Sequence, residues 1–145
     1  MKLSAQKLAC FVFMIISQTL EVDAALGDVS VIVNKDFKYE VSPALLSKIF
    51  LGREKEIPNG PFIQLLDLVE GDRSRDELYL KLVDKNPSAM KSHWSYLMFT
   101  GKGVPPKVVN NEEEVKRLVA ESQNTIGYIS TAKVDSTVKV LLQLK

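Results

Sequence analysis

The chain has 145 residues, of which 46% are hydrophobic and 26% charged, and its formal net charge is +1. A chain of about 100–150 residues corresponds to one domain, and this balance of apolar and charged residues is that of a globular protein. The composition excludes a disordered tail, a collagen-like fibre and a small disulfide-stapled fold. The near-zero charge, without any basic cluster, also argues against nucleic acid as a partner.

Residues 1–24 predict a secretory signal peptide. Lys2 and Lys7 precede the apolar run Leu8–Ile16, and Val22-Asp23-Ala24 supplies the small residues that a signal peptidase recognises. The run is shorter than the roughly 20 apolar residues of a membrane-spanning helix. An uncleaved anchor and a buried helix are the alternatives for this segment.

Cleavage after Ala24 would leave residues 25–145 as a single exported domain without a thiol, since Cys10 is the only cysteine. Disulfides and thiolate metal sites are thereby excluded. The only histidine, His93, has no ligand-spaced carboxylates around it, so we expect neither a metal site nor a cofactor. No Gly-x-Ser-x-Gly phrase occurs, and we predict a non-enzymatic protein in which His93 is a half-buried packing residue.

Strand and helix signals alternate along the mature chain. The β-branched run Val29–Val33 predicts a buried strand, and Ser42-Pro43 predicts the start of a helix that Gly52 ends. A second strand is predicted over Phe62–Leu66, followed by a loop from Asp67 to Ser74. The remaining predicted elements are a helix from Arg75 to Val83 capped by Ser74, a helix from Asn86-Pro87 to near Gly101, a helix capped by Asn111, and strands at Ile126–Ile129 and Val138–Leu142. This alternation predicts an α/β fold.

The most aromatic stretch contains Trp94, Tyr96, Phe99 and the Pro105-Pro106 turn. Helical spacing of Met90, Trp94 and Met98 favours a role in the core, and an exposed patch for a partner protein is the alternative. The Gly101-Lys102-Gly103 phrase follows a predicted helix, so it is interpreted as a helix stop and not as a phosphate loop.

Five phrases occur in a fixed order along the mature chain: Leu45-x-x-x-Ile49-Phe50-Leu51-Gly52, Pro58-Asn59-Gly60, His93-Trp94-Ser95, Phe99-Thr100-Gly101-Lys102-Gly103-Val104-Pro105-Pro106, and Ile126-Gly127-Tyr128-Ile129. Together they resemble the solute-binding-protein family of phosphate ABC transporters, and especially its short single-domain branch. The resemblance implies a single lobe of a periplasmic-binding-protein-like fold, with a mixed sheet and helices packed on it. It also implies a periplasmic location.

The same resemblance implies where an anion would bind. The family carries a Ser-Gly-Thr triplet at a helix N-terminus, and Asp72-Arg73-Ser74 occupies the matching positions here, followed by the basic Arg75. Unpaired amides at a helix start favour anions, and an arginine fork fits their geometry. We therefore predict Arg73, Ser74 and Arg75 as anion-binding residues. Only Ser74 keeps a hydroxyl of the triplet, and Asp72 introduces an acid.

The expected function is that of an exported solute-binding-protein-like domain that binds phosphate or a similar oxyanion weakly for an ABC transport system. A transporter permease or another envelope protein is the expected protein partner. The alternative is an interaction module of the cell envelope that kept the fold and lost the ligand. The sequence leaves open whether two copies meet to complete a cleft.

Overall fold

A computed structural model describes residues 27–145. The predicted signal peptide lies outside the described residues and stays a prediction. The described part folds around one five-stranded sheet with strand order β3-β2-β4-β1-β5. The strands are β1 (Val29–Asn34), β2 (Gln64–Leu68), β3 (Lys107–Val109), β4 (Thr125–Ser130) and β5 (Val138–Leu144).

The sheet is mixed, as the resemblance implies. β1 runs antiparallel to both of its neighbours, β4 and β5, whereas β2 is parallel to β3 and β4. All six residues of β1 are buried. A nearly continuous apolar run is typical of a strand covered on both faces, and this is why Val29–Val33 shows no alternation.

The described part has four α-helices: α1 (Pro43–Phe50), α2 (Arg73–Val83), α3 (Pro87–Phe99) and α4 (Glu112–Glu121). α2 and α4 pack on the sheet, and α1 and α3 pack against α2. The predicted caps Ser42 and Asn111 are confirmed, because each accepts a backbone amide in the first turn, and Asn86 caps α3 in the same way. Gly52 follows α1 with φ of 68°, as expected for a residue that ends a helix in the left-handed region. No helix of the described part is long and apolar enough to cross a membrane.

Two strand predictions need correction. β2 covers Gln64–Leu68 and not Phe62–Leu66, because Phe62 makes only an isolated bridge to Glu56 and is 56% exposed. Asp67, assigned to a loop from the sequence, lies inside the strand, where its carboxylate is buried and paired. The short β3 was not predicted.

Gly127 brings β4 close to α4, which confirms its predicted role in backbone packing. A Cβ at this position would lie 2.6 Å from Val115 Cγ1 and 3.2 Å from Val119 Cγ2. Only a residue without a side chain fits so tight an approach. The contact fixes α4, and with it Glu112 at its first turn, against the sheet.

Candidate functional site

The predicted anion-binding residues lie together in the first turn of α2, but the helix begins earlier than expected. Asp72, and not Ser74, is its N-cap, with extended backbone angles of φ −70° and ψ 132°. The Asp72 carboxylate accepts hydrogen bonds from the amides of Ser74 at 2.9 Å and Arg75 at 3.3 Å. The prediction of a Ser74 cap is wrong because an aspartate two residues earlier caps as well and adds a charge that suits the helix dipole.

The Ser74 hydroxyl points to a second carboxylate. It donates to Glu112 Oε1 at 2.6 Å, and the same oxygen accepts the Ser130 amide at 2.7 Å. Glu112 Oε2 pairs with Lys133 Nζ at 2.8 Å. Burial opposes ionisation of Glu112, but the hydrogen bonds from Lys133, Ser74 and Ser130 outweigh it and hold the pKa of Glu112 below its ordinary value.

Arg75 is buried and makes its own ion pair. Its Nε donates to Asp67 Oδ2 at 3.0 Å, and its guanidinium lies 5.2 Å from the centre of the Tyr79 ring. The Tyr128 hydroxyl donates to the other oxygen of Asp67 and accepts the Leu68 amide at 3.0 Å. Burial raises the pKa of Asp67, although the Tyr128 hydroxyl and the Arg75 charge oppose the rise.

Arg73 lies on the outer side of the turn and contacts a further carboxylate. Its Nε donates to Glu77 Oε1 at 2.9 Å. The buried Glu77 also accepts the Gly27 amide at 2.9 Å and lies 3.8 Å from Lys81 Nζ. The structure thus brings the three predicted residues together, and each contacts a carboxylate of the chain itself.

Sequence reasoning missed the residues that hold this turn in place, namely Asp67, Tyr79, Glu112 and Tyr128. One sequence signal could have pointed to the role of Asp67. It directly follows Leu65-Leu66, and an aspartate in an apolar strand is rarely buried without a partner. Glu112 gave no such signal, since an acid in the first turn of α4 is already explained by the helix dipole. Glu112 and Ser74 are 38 residues apart in the sequence, so their contact arises only from the tertiary fold.

The other chemical candidates have structural roles. His93 is half-buried as predicted, and its Nε2 lies 2.8 Å from the Leu51 carbonyl oxygen. Gly101 follows α3 with φ of 66°, which confirms the predicted helix stop. Among residues 27–145, no three side chains of the metal-ligating types cluster around a common point.

The prediction that the aromatic stretch lies in the core is only partly correct. Trp94 is 6% exposed, but Tyr96, Met98 and Phe99 are 57%, 53% and 93% exposed. Helix α3 packs against α2 and buries only a narrow stripe that contains Met90 and Trp94, so positions outside that stripe face solvent. Two open clefts, of about 370 and 290 Å³, flank the Pro105-Pro106 turn above Trp94.

Similarity to known proteins lies in the fold. No protein-family model and no curated protein matches the chain. Solved structures do: an ABC-type phosphate transport receptor from Vibrio cholerae is 20% identical with a TM-score of 0.61, over 80% of this chain and 47% of that chain. PstS from Borrelia burgdorferi is 15% identical with a TM-score of 0.60, over 79% of this chain and 47% of that one.

A third match is a Clostridium perfringens structure with bound phosphate, at 18% identity and a TM-score of 0.62, over 80% of this chain and 45% of that one. The chain therefore spans about half the length of these structural relatives. Identities this low support a shared fold and leave the ligand open. The fold of residues 27–145 is a single lobe of the kind found in phosphate ABC transporter substrate-binding proteins.

Proposed function

We propose that this chain is an exported, non-enzymatic module of the cell envelope that keeps the lobe fold of a solute-binding protein and acts by contacting another protein. A transporter permease or another envelope protein would be the partner. The main support for the proposal is that carboxylates of the chain itself already bind the first turn of α2. Asp72 accepts its amides. Asp67 pairs with Arg75, and Glu112 accepts the Ser74 hydroxyl.

Those carboxylates compete directly with an external anion. Two like unit charges about 4 Å apart repel by roughly 1 kcal/mol in water and about 4 kcal/mol near a protein surface. A phosphate at the amides of Ser74 and Arg75 would have to displace the Asp72 carboxylate that now bonds them. An anion that recruited the Arg75 side chain would in addition compete with the buried Asp67 carboxylate, to which Arg75 Nε donates.

The chain matches only part of each structural relative, which bears on its affinity for a solute. It spans about half the length of the structural relatives, one of which was solved with bound phosphate. Tight small-molecule sites usually bury most of the ligand surface, and one lobe covers a ligand from one side only. High affinity for a solute would therefore require a second surface.

Titration calorimetry of residues 25–145 with phosphate, sulfate and molybdate tests the proposal. We expect no heat of binding at millimolar ligand. Chemical cross-linking in a periplasmic extract should in addition give one stoichiometric complex. Saturable heat with phosphate would overturn the proposal, as would a strictly monomeric protein without a complex.

The second candidate function is weak binding of phosphate or a similar oxyanion at Arg73, Ser74 and Arg75. It is favoured by the phosphate-bound structural relative and by the position of these residues at a helix N-terminus. If it holds, Ser74→Ala should weaken the calorimetric signal. Ser88→Ala is the matched control, because Ser88 occupies the same second position in α3 and is exposed.

A further inference from the structure

The two clefts beside the Pro105-Pro106 turn form one continuous surface. Trp94, Pro105 and Pro106 line both clefts, so the two clefts meet at this turn. We call this surface, with the residues that line the two clefts, the proline-ridge surface. It lies at the edge of the sheet where β3 is the last strand.

Exposed apolar side chains are concentrated on the proline-ridge surface. Phe62 and Val104 line the first cleft and are 56% and 72% exposed. Met98 and Val108 line the second and are 53% and 61% exposed. A contiguous exposed apolar patch of this kind is typical of an interaction site, whereas single exposed apolar residues are ordinary.

The same surface borders an unpaired backbone edge. β3 pairs with β2 along one side and has no strand on its other side within the described chain. The pairing with β2 starts at Leu66, so Gln64 and Leu65 are left without β3 and line the first cleft. An exposed edge with adjacent pockets is the geometry by which proteins accept an extended peptide as an additional strand.

The charges around the first cleft indicate what such a strand would carry. Lys55 and Lys107 line it together with Glu54, and both lysines are exposed. Neither lysine forms an ion pair with another described residue. The cleft therefore has a net positive rim, which favours an acidic residue in the occupant.

The rim also argues against a second copy of this chain as the occupant. Pairing of β3 with its own symmetry mate would place two copies of the same net positive rim beside each other. Like charges across paired strands are destabilising. A different protein with acidic residues meets no such repulsion.

We propose that the proline-ridge surface binds an extended, apolar segment of a partner protein that carries at least one acidic residue and adds to β3 as a further strand. Its apolar side chains would enter the clefts on either side of Pro105-Pro106, and its carboxylate would approach Lys55 and Lys107. This inference rests on the proposed function as an interaction module, and it specifies the chemistry of the partner.

Selection from a library of random peptides of about twelve residues, displayed on phage, tests the inference with residues 25–145 as bait. We expect enrichment of apolar sequences that contain Asp or Glu. The most enriched peptide, made synthetically, should shift the amide resonances of residues 62–65, 104 and 107–109. N-methylation of alternate peptide bonds should weaken its binding about tenfold or more, because a strand needs its backbone donors.

Single substitutions test which residues of the protein contact the peptide. Val108→Asp should weaken binding of that peptide about tenfold, whereas Val140→Asp on the other edge strand, β5, should leave it unchanged. Both positions are exposed, at 61% and 38%, so the fold should tolerate both changes, and circular dichroism checks this. Lys55→Glu should reduce binding of the acidic peptide, and a change of the peptide's acid to lysine in the same experiment should restore it.

Three results would overturn the inference: no enrichment, enrichment of basic peptides, or a dimer through β3 in sedimentation experiments. Resonance shifts confined to α2 and α4, with Val108→Asp binding normally, would also overturn it while leaving the proposed function intact. Saturable heat with phosphate would instead contradict the proposed function. The two failures are therefore distinguishable.

Discussion

Replacement of Asp72 tests whether this carboxylate occupies the place of an anion. Asp72→Ala removes the acceptor of two amide hydrogen bonds, of 2.9 and 3.3 Å, at the start of α2. Loss of an N-cap costs about 1 kcal/mol, and loss of the favourable charge at the helix start about 0.5 kcal/mol more. We expect a loss of about 1.5 kcal/mol in the free energy of unfolding, or roughly 6 °C in Tm for a domain of this size.

The vacated amides should then accept an external anion. If sulfate binds them with a Kd of about 10 mM, then about 100 mM sulfate stabilises the variant by roughly 1.4 kcal/mol. The assay is urea unfolding followed by circular dichroism at pH 7, in sulfate and in sodium chloride of equal ionic strength. Sulfate stabilises most proteins by exclusion from their surface, so the quantity that matters is the additional gain of the variant over the wild type.

Asp72→Asn is the matched control, because its amide oxygen can still cap the helix while the charge is removed. We expect this variant to show neither the full loss of stability nor the additional gain in sulfate. Equal gains from sulfate in the wild type and in Asp72→Ala would refute the reasoning. So would a wild type that phosphate stabilises as strongly as Asp72→Ala.

Three further predictions concern the surroundings of this turn. Arg75→Met should destabilise the fold by about 3–5 kcal/mol at neutral pH, because it leaves Asp67 buried without its cation. Burial raises the pKa of Asp67, so this loss of stability should shrink towards acidic pH as Asp67 binds a proton. The pKa of Glu112 is lower in the folded protein than its ordinary value of about 4.5. The stability that ionised Glu112 contributes is therefore fully present above about pH 4.5 and is lost as the pH falls through the lowered pKa of the folded state. The stability difference between wild type and Glu112→Gln should therefore vanish on acidification. Gly127→Ala should cost about 1–3 kcal/mol, because its Cβ would lie 2.6 Å from a methyl carbon of Val115. Urea unfolding between acidic and neutral pH measures all three.

These experiments have internal controls. Gly27→Ala places its Cβ 3.6 Å from the nearest atom, an ordinary contact, and should change the stability little. A loss for Arg75→Met that does not depend on pH would contradict the assignment of Asp67 as the buried partner. A Glu112→Gln difference that persists unchanged at low pH would contradict the role of its ionised form.

The helix and strand signals that depend on neighbouring residues could be predicted from the sequence. Ser42, Asn86 and Asn111 cap helices because each side chain bonds the amide three residues further along the chain. The apolar run Val29–Val33 predicts a buried strand whatever position that strand takes in the sheet. The α/β class follows from the order of these elements, and the resemblance to one lobe of a binding protein is confirmed at the level of the fold.

The candidate site depended on contacts between distant parts of the chain. Arg73, Ser74 and Arg75 are adjacent in the sequence, but what each contacts is decided by strand β2 and by helix α4, which packs against the sheet where Gly127 leaves room. Local patterns contain no information about these partners, because the pairings exist only after the sheet has assembled. The same holds for β3 and its exposed edge: three residues form a strand there only because β2 lies beside them.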